Sequence, residues 1–311
     1  MFKKYPSLTN HYQNKDIDYF LMRYGDRMHD CDWILTEKIH GANISFLIHP
    51  ELDHVKIFSR NQEVTNDNFY NCADVFTEFI EKIDKMKSWA AHSRVSVRIF
   101  GELFGPGIQK GVEYGNERQI RIFDIMVNDR LQSQEATENF LYDLGLGALF
   151  VPKLGIFSSF KEAMEVNEEF NSMILGVEDN VAEGFVIKPY KDVFIDAQGS
   201  VFYVKKKNEK FKEKQKVKKI KTETQYTEEV NQWRETFLSY LNKNRVESVF
   251  SKEGEIASYG DIGKYIPLIH KDALEDFRKD EDFVDESFTK SERKYIFNSS
   301  KEIVELLKTY L

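Results

Sequence analysis

Apolar and polar positions follow two different periods along the chain. From residue 32 to residue 207 short alternating segments recur: DWILTEK, NISFLIH, HVKIFSR, RVSVRIFGELFG, RQIRIFDIMV, EGFVIKP and VFYVKKK. Their length and their β-branched and aromatic content predict strands. A period near 3.6 interrupts them at 73–91, 133–144 and 160–175, predicting helices. Strands that follow one another without regular helical crossovers favour antiparallel sheets with helices packed outside, an α+β plan. Beyond residue 222 the alternation stops, and 228–243, 259–269 and 291–311 read as helices with few strand signals between them. The pattern therefore predicts a mixed domain over 1–222 and a small all-α domain over 223–311, joined through a lysine-rich stretch at 208–226. No repeat of solenoid period is present.

Composition narrows the class. With 311 residues, 41% hydrophobic and 31% charged, the chain can bury a sizeable core and form two domains, which excludes a disordered chain. Cys31 and Cys72 are the only cysteines, so neither a structural zinc site nor a disulfide framework is indicated. No run approaches the roughly 18 to 20 apolar residues of a membrane span, and MFKKYPSLTNHYQNKD has no apolar block behind its basic residues. A cytoplasmic protein with no membrane association is expected.

Net charge, −8, argues against a protein that coats nucleic acid non-specifically. The average conceals an uneven distribution. Residues 205–221, KKKNEKFKEKQKVKKIK, carry ten lysines against two glutamates, a local sum of +8, so the remainder sums to −16. The opposite pole, DALEDFRKDEDFVDE at 272–286, holds eight acids against two basic residues. Such a lysine run suits phosphate contacts, although charge runs are commonly solvated faces.

Candidate chemistry starts at EKIHGAN, residues 37–43, where a lysine ends a predicted strand and a glycine lets the backbone approach a ligand closely. Alone, K-x-x-G is weak and is equally an exposed lysine beside a hairpin. Glu102, Glu183, Lys205 and Lys207 strengthen it, because each is a charge stranded on an otherwise apolar β-segment and needs a partner or a ligand.

Taken together, Lys38-Ile39-His40-Gly41, Arg60, Phe100-Gly101-Glu102, Phe123-Asp124, Glu183-Gly184 and Lys205-x-Lys207 stand in the order of the covalent nucleotidyltransferase motifs of polynucleotide ligases and capping enzymes. Within that superfamily the chain resembles the RNA ligase 2 family of T-even bacteriophages, the double-strand RNA ligases. MFKKYPSLTNHY, EKIHGAN, FGELFGPGIQKGVEYG, IFDIMV, EGFVIKP, VKKKNEKF and KNRVESVFSKEGEIASYGDIGK carry the likeness, which spans nearly the whole chain. His40 stands where DNA ligases and capping enzymes usually have an acid, which favours the RNA ligase 2 branch. The stretch between Phe123 and Glu183 is shorter than in the phage enzyme, so no contacts are carried over there.

What the resemblance implies is an ATP-dependent RNA ligase. Lys38 takes AMP from ATP, AMP passes to an RNA 5′-phosphate, and a 3′-hydroxyl displaces it to seal a nick in duplex RNA. Lys205, Lys207 and a bound Mg²⁺ (or Mn²⁺) are expected to favour the neutral amine of Lys38 and to neutralise phosphate charge. Glu183 is the expected metal carboxylate, with a surface pairing to Lys188 as the plain alternative. By the family pattern, Phe123 stacks on adenine, Glu102 accepts from the ribose hydroxyls and Glu37 lies beside the adenine edge. Ile39, His40, Asn43 and Arg60 complete the nucleotide site, and Arg245 is the expected RNA contact of the helical domain. A monomer is expected. A ligase for single-stranded or RNA-DNA hybrid ends would share every one of these residues, and a catalytically inert nucleic-acid-binding protein of the same fold is a third reading.

Overall fold

In the computed structural model, which describes residues 2–52, 54–65, 69–70, 72–213 and 226–311, the chain forms two compact units, Met1–Lys210 and Phe211–Leu311. The expected junction at 222/223 lies outside the described residues, as does most of the lysine-rich stretch.

The first unit is built on two five-stranded sheets. Along the chain come β1 (Thr9–Asn10), α1 (Asn14–His29), β2 (Trp33–Glu37), β3 (Ala42–Ile48), β4 (Lys56–Ser59), α2 (Cys72–Ser93), β5 (Val97–Phe104), β6 (Gln119–Val127) and β7 (Arg130–Leu131). Then follow α3 (Gln134–Asp143), β8 (Lys153–Phe157), α4 (Phe160–Glu165), β9 (Gly184–Pro189) and β10 (Val204–Lys207). One sheet has the order β1-β10-β9-β2-β8 and the other β4-β3-β5-β6-β7, with all pairs antiparallel except β1 with β10. This is the α+β plan expected from the alternating segments.

Face by face, the sequence explains where the first sheet points. Trp33 and Leu35 of β2, Phe185 and Ile187 of β9 and Val204 of β10 share one apolar cluster with Ile17 and Phe20 of α1 and Ala163 of α4. Residues of opposite parity turn the other way: Val186 of β9 joins Phe100 and Met126 of the second sheet in a separate cluster. Strand periodicity therefore sends Lys206, paired with Phe185, to the face covered by α1 and α4, and Lys205, paired with Val186, to the side facing the second sheet together with Lys207.

Helix 160–175 of the sequence reading ends ten residues early. Val166 adopts extended backbone, and Lys206 Nζ captures the last carbonyls, those of Met164 (3.2 Å) and Val166 (2.8 Å). The released segment then folds back on itself, with Ser172 N donating to Asn180 O (2.8 Å) and Ala182 N to Phe170 O (2.9 Å). Helix α1 was not anticipated by the sequence pattern.

In the second unit the described residues from 226 onward form α5 (Glu228–Leu238), α6 (Lys243–Glu253), α7 (Ile262–Asp280), α8 (Lys290–Ile296) and α9 (Ser300–Leu307), with short 3-10 turns between some of them. Thr227, Asn242 and Thr289 each accept from a first-turn backbone N–H and set the starts of α5, α6 and α8. The single helix expected over 291–311 is broken because Arg234 of α5 binds the carbonyls of Tyr295 (2.5 Å) and Asn298 (2.8 Å) at the end of α8.

Candidate active site

Lys38 sits at the corner where the chain leaves the first sheet for the second. Strand β2 ends at Glu37, and after Ile39, His40 and Gly41 the chain enters β3. Glu37 N donates to Pro152 O (2.8 Å) and Lys38 N to Gly184 O (2.9 Å), so the backbone on the β2 side is held on both edges. Ile39 is buried in the larger core of the unit. The glycine of the motif is dictated by space, since a Cβ on Gly41 would lie 2.3 Å from Leu103 O of β5. Gly184, at φ +143°, is held by the same rule, for its Cβ would lie 2.1 Å from Lys206 O.

Three side chains converge on one buried carboxylate. Glu183 Oε2 accepts from Lys38 Nζ (2.7 Å) and lies 3.2 Å from His40 Nδ1, while Oε1 faces Lys207 Nζ at 2.8 Å. Burial alone would raise the Glu183 pKa, but the ammonium groups of Lys207 and Lys38, followed by the His40 imidazole, outweigh it and hold the carboxyl well below its ordinary range. Glu183 pairs with these groups and not with Lys188, which binds Asp124 at 2.7 Å. The contact also qualifies the expectation for Lys38: its Nζ is paired with an anion, Glu183, and is not beside cations alone.

Across the second sheet, Asn43 of β3, Glu102 of β5 and Arg121 of β6 occupy one cross-strand row. Burial pushes the Glu102 carboxyl up to about 7; Lys38 opposes the shift, Glu183 adds to it, and Arg60 and Lys207 oppose it in turn. Arg60, directly after β4, thus acts on Glu102 through space, and among the described residues it makes no ion pair. Phe123 is the extra residue of a β-bulge, because Phe100 pairs with Asp124 and Gly101 with Ile122. A bulge re-aims side chains, and here Phe123 and Asp124 both reach Tyr5 and Lys188.

Around Asp124 and Glu37 stand residues that were not singled out from the sequence: Tyr5, Gln134, Ser172 and Tyr203. The Asp124 carboxylate, fully buried, accepts from Tyr5 Oη, Gln134 Nε2 (2.5 Å), Lys188 Nζ (2.7 Å) and, at 3.4 Å, Tyr203 Oη. Glu37, also buried, accepts from Ser172 Oγ (2.6 Å) and Met173 N (2.8 Å), both from the segment released by α4. Burial raises the Glu37 pKa, and these two donors and Arg121 oppose the rise. Buried polar groups that find this many partners mark a site held rigid. The sequence signal available was an aspartate and a lysine on apolar strands; nothing in the sequence pointed to Ser172.

Arg245 is a correction. Its side chain is 2% exposed, and its Nη1 binds Asp272 (2.5 Å) and Asp276 (2.7 Å) of α7. A guanidinium so enclosed and so paired holds α6 against α7 and has no surface to offer an RNA phosphate. The acidic pole at 272–286 is in part the counter-charge of this buried arginine.

Family patterns match both units of the chain. The RNA ligase family pattern matches residues 32–212, and that of the T4 RNA ligase 2 C-terminal family matches residues 224–305. Solved structures of Naegleria gruberi RNA ligase are similar at low identity. The form with PPi is 16% identical over 68% of this chain and 57% of that one (TM-score 0.49). A mutant with ATP and Mn is 18% identical over 68% and 57% (TM-score 0.49), and an apo mutant 18% over 65% and 55% (TM-score 0.48). The chain thus spans a little over half the length of those chains. With more than half of its residues matched by the first pattern and its helical unit by the second, the chain belongs to the RNA ligase family, in the RNA ligase 2 branch.

Proposed function

We propose that this chain is an ATP-dependent RNA ligase that seals 3′-hydroxyl/5′-phosphate nicks in duplex RNA through a lysyl-AMP and an RNA-adenylate. The observation that carries the reading is the convergence of Lys38, His40 and Lys207 on Glu183 at the corner between two sheets, 2.7 to 3.2 Å apart.

In the first step the Lys38 Nζ lone pair forms a bond to the α-phosphorus of ATP while the bond to pyrophosphate breaks. Amine nucleophiles act only when neutral, so Nζ must first lose a proton. Glu183 Oε2 is hydrogen-bonded to that nitrogen but, held well below the ordinary carboxyl range, does not keep the proton, which passes to bulk water as the ion pair opens. Lys207, on the other oxygen of Glu183, offsets the negative charge that grows on the phosphates. Lys205, on the same face of β10, extends that positive wall. Glu102, half-buried on the neighbouring sheet, offers an acceptor for the ribose hydroxyls, and the Phe123 ring provides an apolar surface for the base.

The donor set suits a divalent cation. Among the described residues no cluster of three or more His, Cys, Asp and Glu side chains gathers, so the protein does not build a closed cage. Glu183 would supply the carboxylate that Mg²⁺ uses when phosphate and water oxygens complete its shell, leaving Glu102 to the ribose hydroxyls. When bound, a divalent cation would be held by Glu183 and would supply positive charge to the phosphates.

In the later steps AMP leaves Lys38 for the RNA 5′-phosphate, and the 3′-hydroxyl oxygen then attacks that phosphorus with AMP departing. Incubation with α-labelled ATP and Mg²⁺, followed by a chase with nicked RNA, RNA-DNA and DNA duplexes and with single strands, tests the reading. Label that chases into nicked duplex RNA fastest supports it, and faster discharge onto single-stranded or hybrid ends assigns the substrate differently.

A further inference from the structure

His40 N, in the middle of the nucleophile turn, belongs to neither ladder. Lys38 N is tied to β9, and Ala42 is paired with Leu103 of β5. The partner of His40 N is the Tyr114 hydroxyl, at 2.9 Å. Tyr114 is buried, its ring meets Phe104 edge-on at 4.8 Å, and burial drives its pKa upward, so it faces the amide as a neutral acceptor. The same loop presents Lys110 O to His40 Nε2 at 3.2 Å.

That loop is itself held. Asn180 Oδ1 accepts from Glu113 N (2.8 Å) and its Nδ2 donates to Glu113 O (2.7 Å), a side chain imitating a strand pair. Asn180 lies on the folded-back segment 170–182, whose Ser172 binds Glu37. One segment thus braces the turn on both sides of Lys38, Glu37 directly and His40, two residues on, through Tyr114.

We infer that Tyr114 is a positioning residue for Lys38: its hydroxyl fixes the backbone of the 38–41 turn, and Asn180 acts by holding Tyr114 in place. The inference rests on the lysyl-AMP reading of the site for its kinetic consequence, though not for its geometry. Tyr114→Phe keeps the packing on Phe104 and removes only the acceptor. Misplaced reacting atoms cost rate more than binding, so the single-turnover rate of Lys38 labelling should fall about 10-fold with the apparent ATP KM within about 2-fold. Asn180→Ala should slow labelling about 3-fold, and Asn180→Asp, which sets a carboxylate oxygen against Glu113 O, at least as much. Because both act on one contact, the double variant should be no slower than Tyr114→Phe.

Two readouts separate the possible failures. Amide hydrogen exchange across 38–41 should quicken in Tyr114→Phe with the thermal midpoint unchanged, whether or not the protein labels itself. If wild type takes no label, the ligase reading fails and exchange alone judges the positioning. If wild type labels, a Tyr114→Phe rate and exchange equal to wild type overturn the inference, as does a double variant whose losses multiply.

Discussion

Replacing Lys188 with Met should be costlier than its distance from the nucleophile suggests. The Lys188 ammonium is buried and 2.7 Å from the fully buried Asp124 carboxylate. Removing one partner of such a pair strands the other charge, typically at about 3–5 kcal/mol. Tyr5, Gln134 and Tyr203 still donate to Asp124, so the lower end applies, about 3 kcal/mol, or more than about 100-fold in the unfolding constant. The reverse change, Asp124→Asn, should cost less, because Lys188 keeps the Phe123 carbonyl at 2.9 Å and burial already lowers its pKa. Without Asp124 that lowering deepens, so the folded state sheds the proton before the unfolded chain does. The stability of Asp124→Asn should therefore rise with pH towards the ordinary lysine value of 10.5. Urea titration in a Trp233→Phe background leaves Trp33 and Trp89, both in the first unit, as fluorescence reporters. A Lys188→Met loss under about 1 kcal/mol would refute the reasoning, as would an Asp124→Asn variant that weakens on going from neutral to mildly alkaline pH.

Glu102→Gln should abolish ligation yet stabilise the fold above neutral pH. The folded carboxyl, raised by burial to about 7, holds a proton that the unfolded chain loses near 4.5, so wild-type stability declines as pH rises between those values and the amide is spared; identical urea midpoints for both proteins at pH 8 would contradict this. Gly41→Ala drives a methyl into Leu103 O and should lower stability by about 2 kcal/mol or more, read from the same reporters, with Lys38 labelling lost in the fraction that folds. Arg245→Met leaves the partly buried Asp272 and Asp276 without their arginine, Asp272 keeping Lys252, and should cost the helical unit about 2 kcal/mol, visible in the Trp233 transition. Sealing by that variant well below its transition should stay within about 2-fold of wild type; a sealing defect with unchanged stability would return Arg245 to the RNA surface.

The strand segments were legible from their alternation, and Lys38, Glu183 and Lys207, which the fold brings together, stood out as charges at the ends of apolar strands, where period 2 fixes the face. Lys205 and Lys206 could be assigned to opposite faces for the same reason. The short α4 was not legible: 160–175 has a helical period, and only Lys206, distant in sequence, draws off the carbonyls that would continue the turn. Ser172, Tyr114 and Asn180 act through single hydrogen bonds between loops, which no periodicity encodes. Arg245 was misread because a lone arginine on a helix looks solvent-facing until Asp272 and Asp276 are folded against it.

Transfer of label from α-labelled ATP to the protein, compared between wild type and Lys38→Ala, tests the central claim most directly. The account predicts an acid-stable adenylate on wild type, none on Lys38→Ala, and better charging by ATP than by GTP. Absence of label on wild type, or label undiminished in Lys38→Ala, would contradict it.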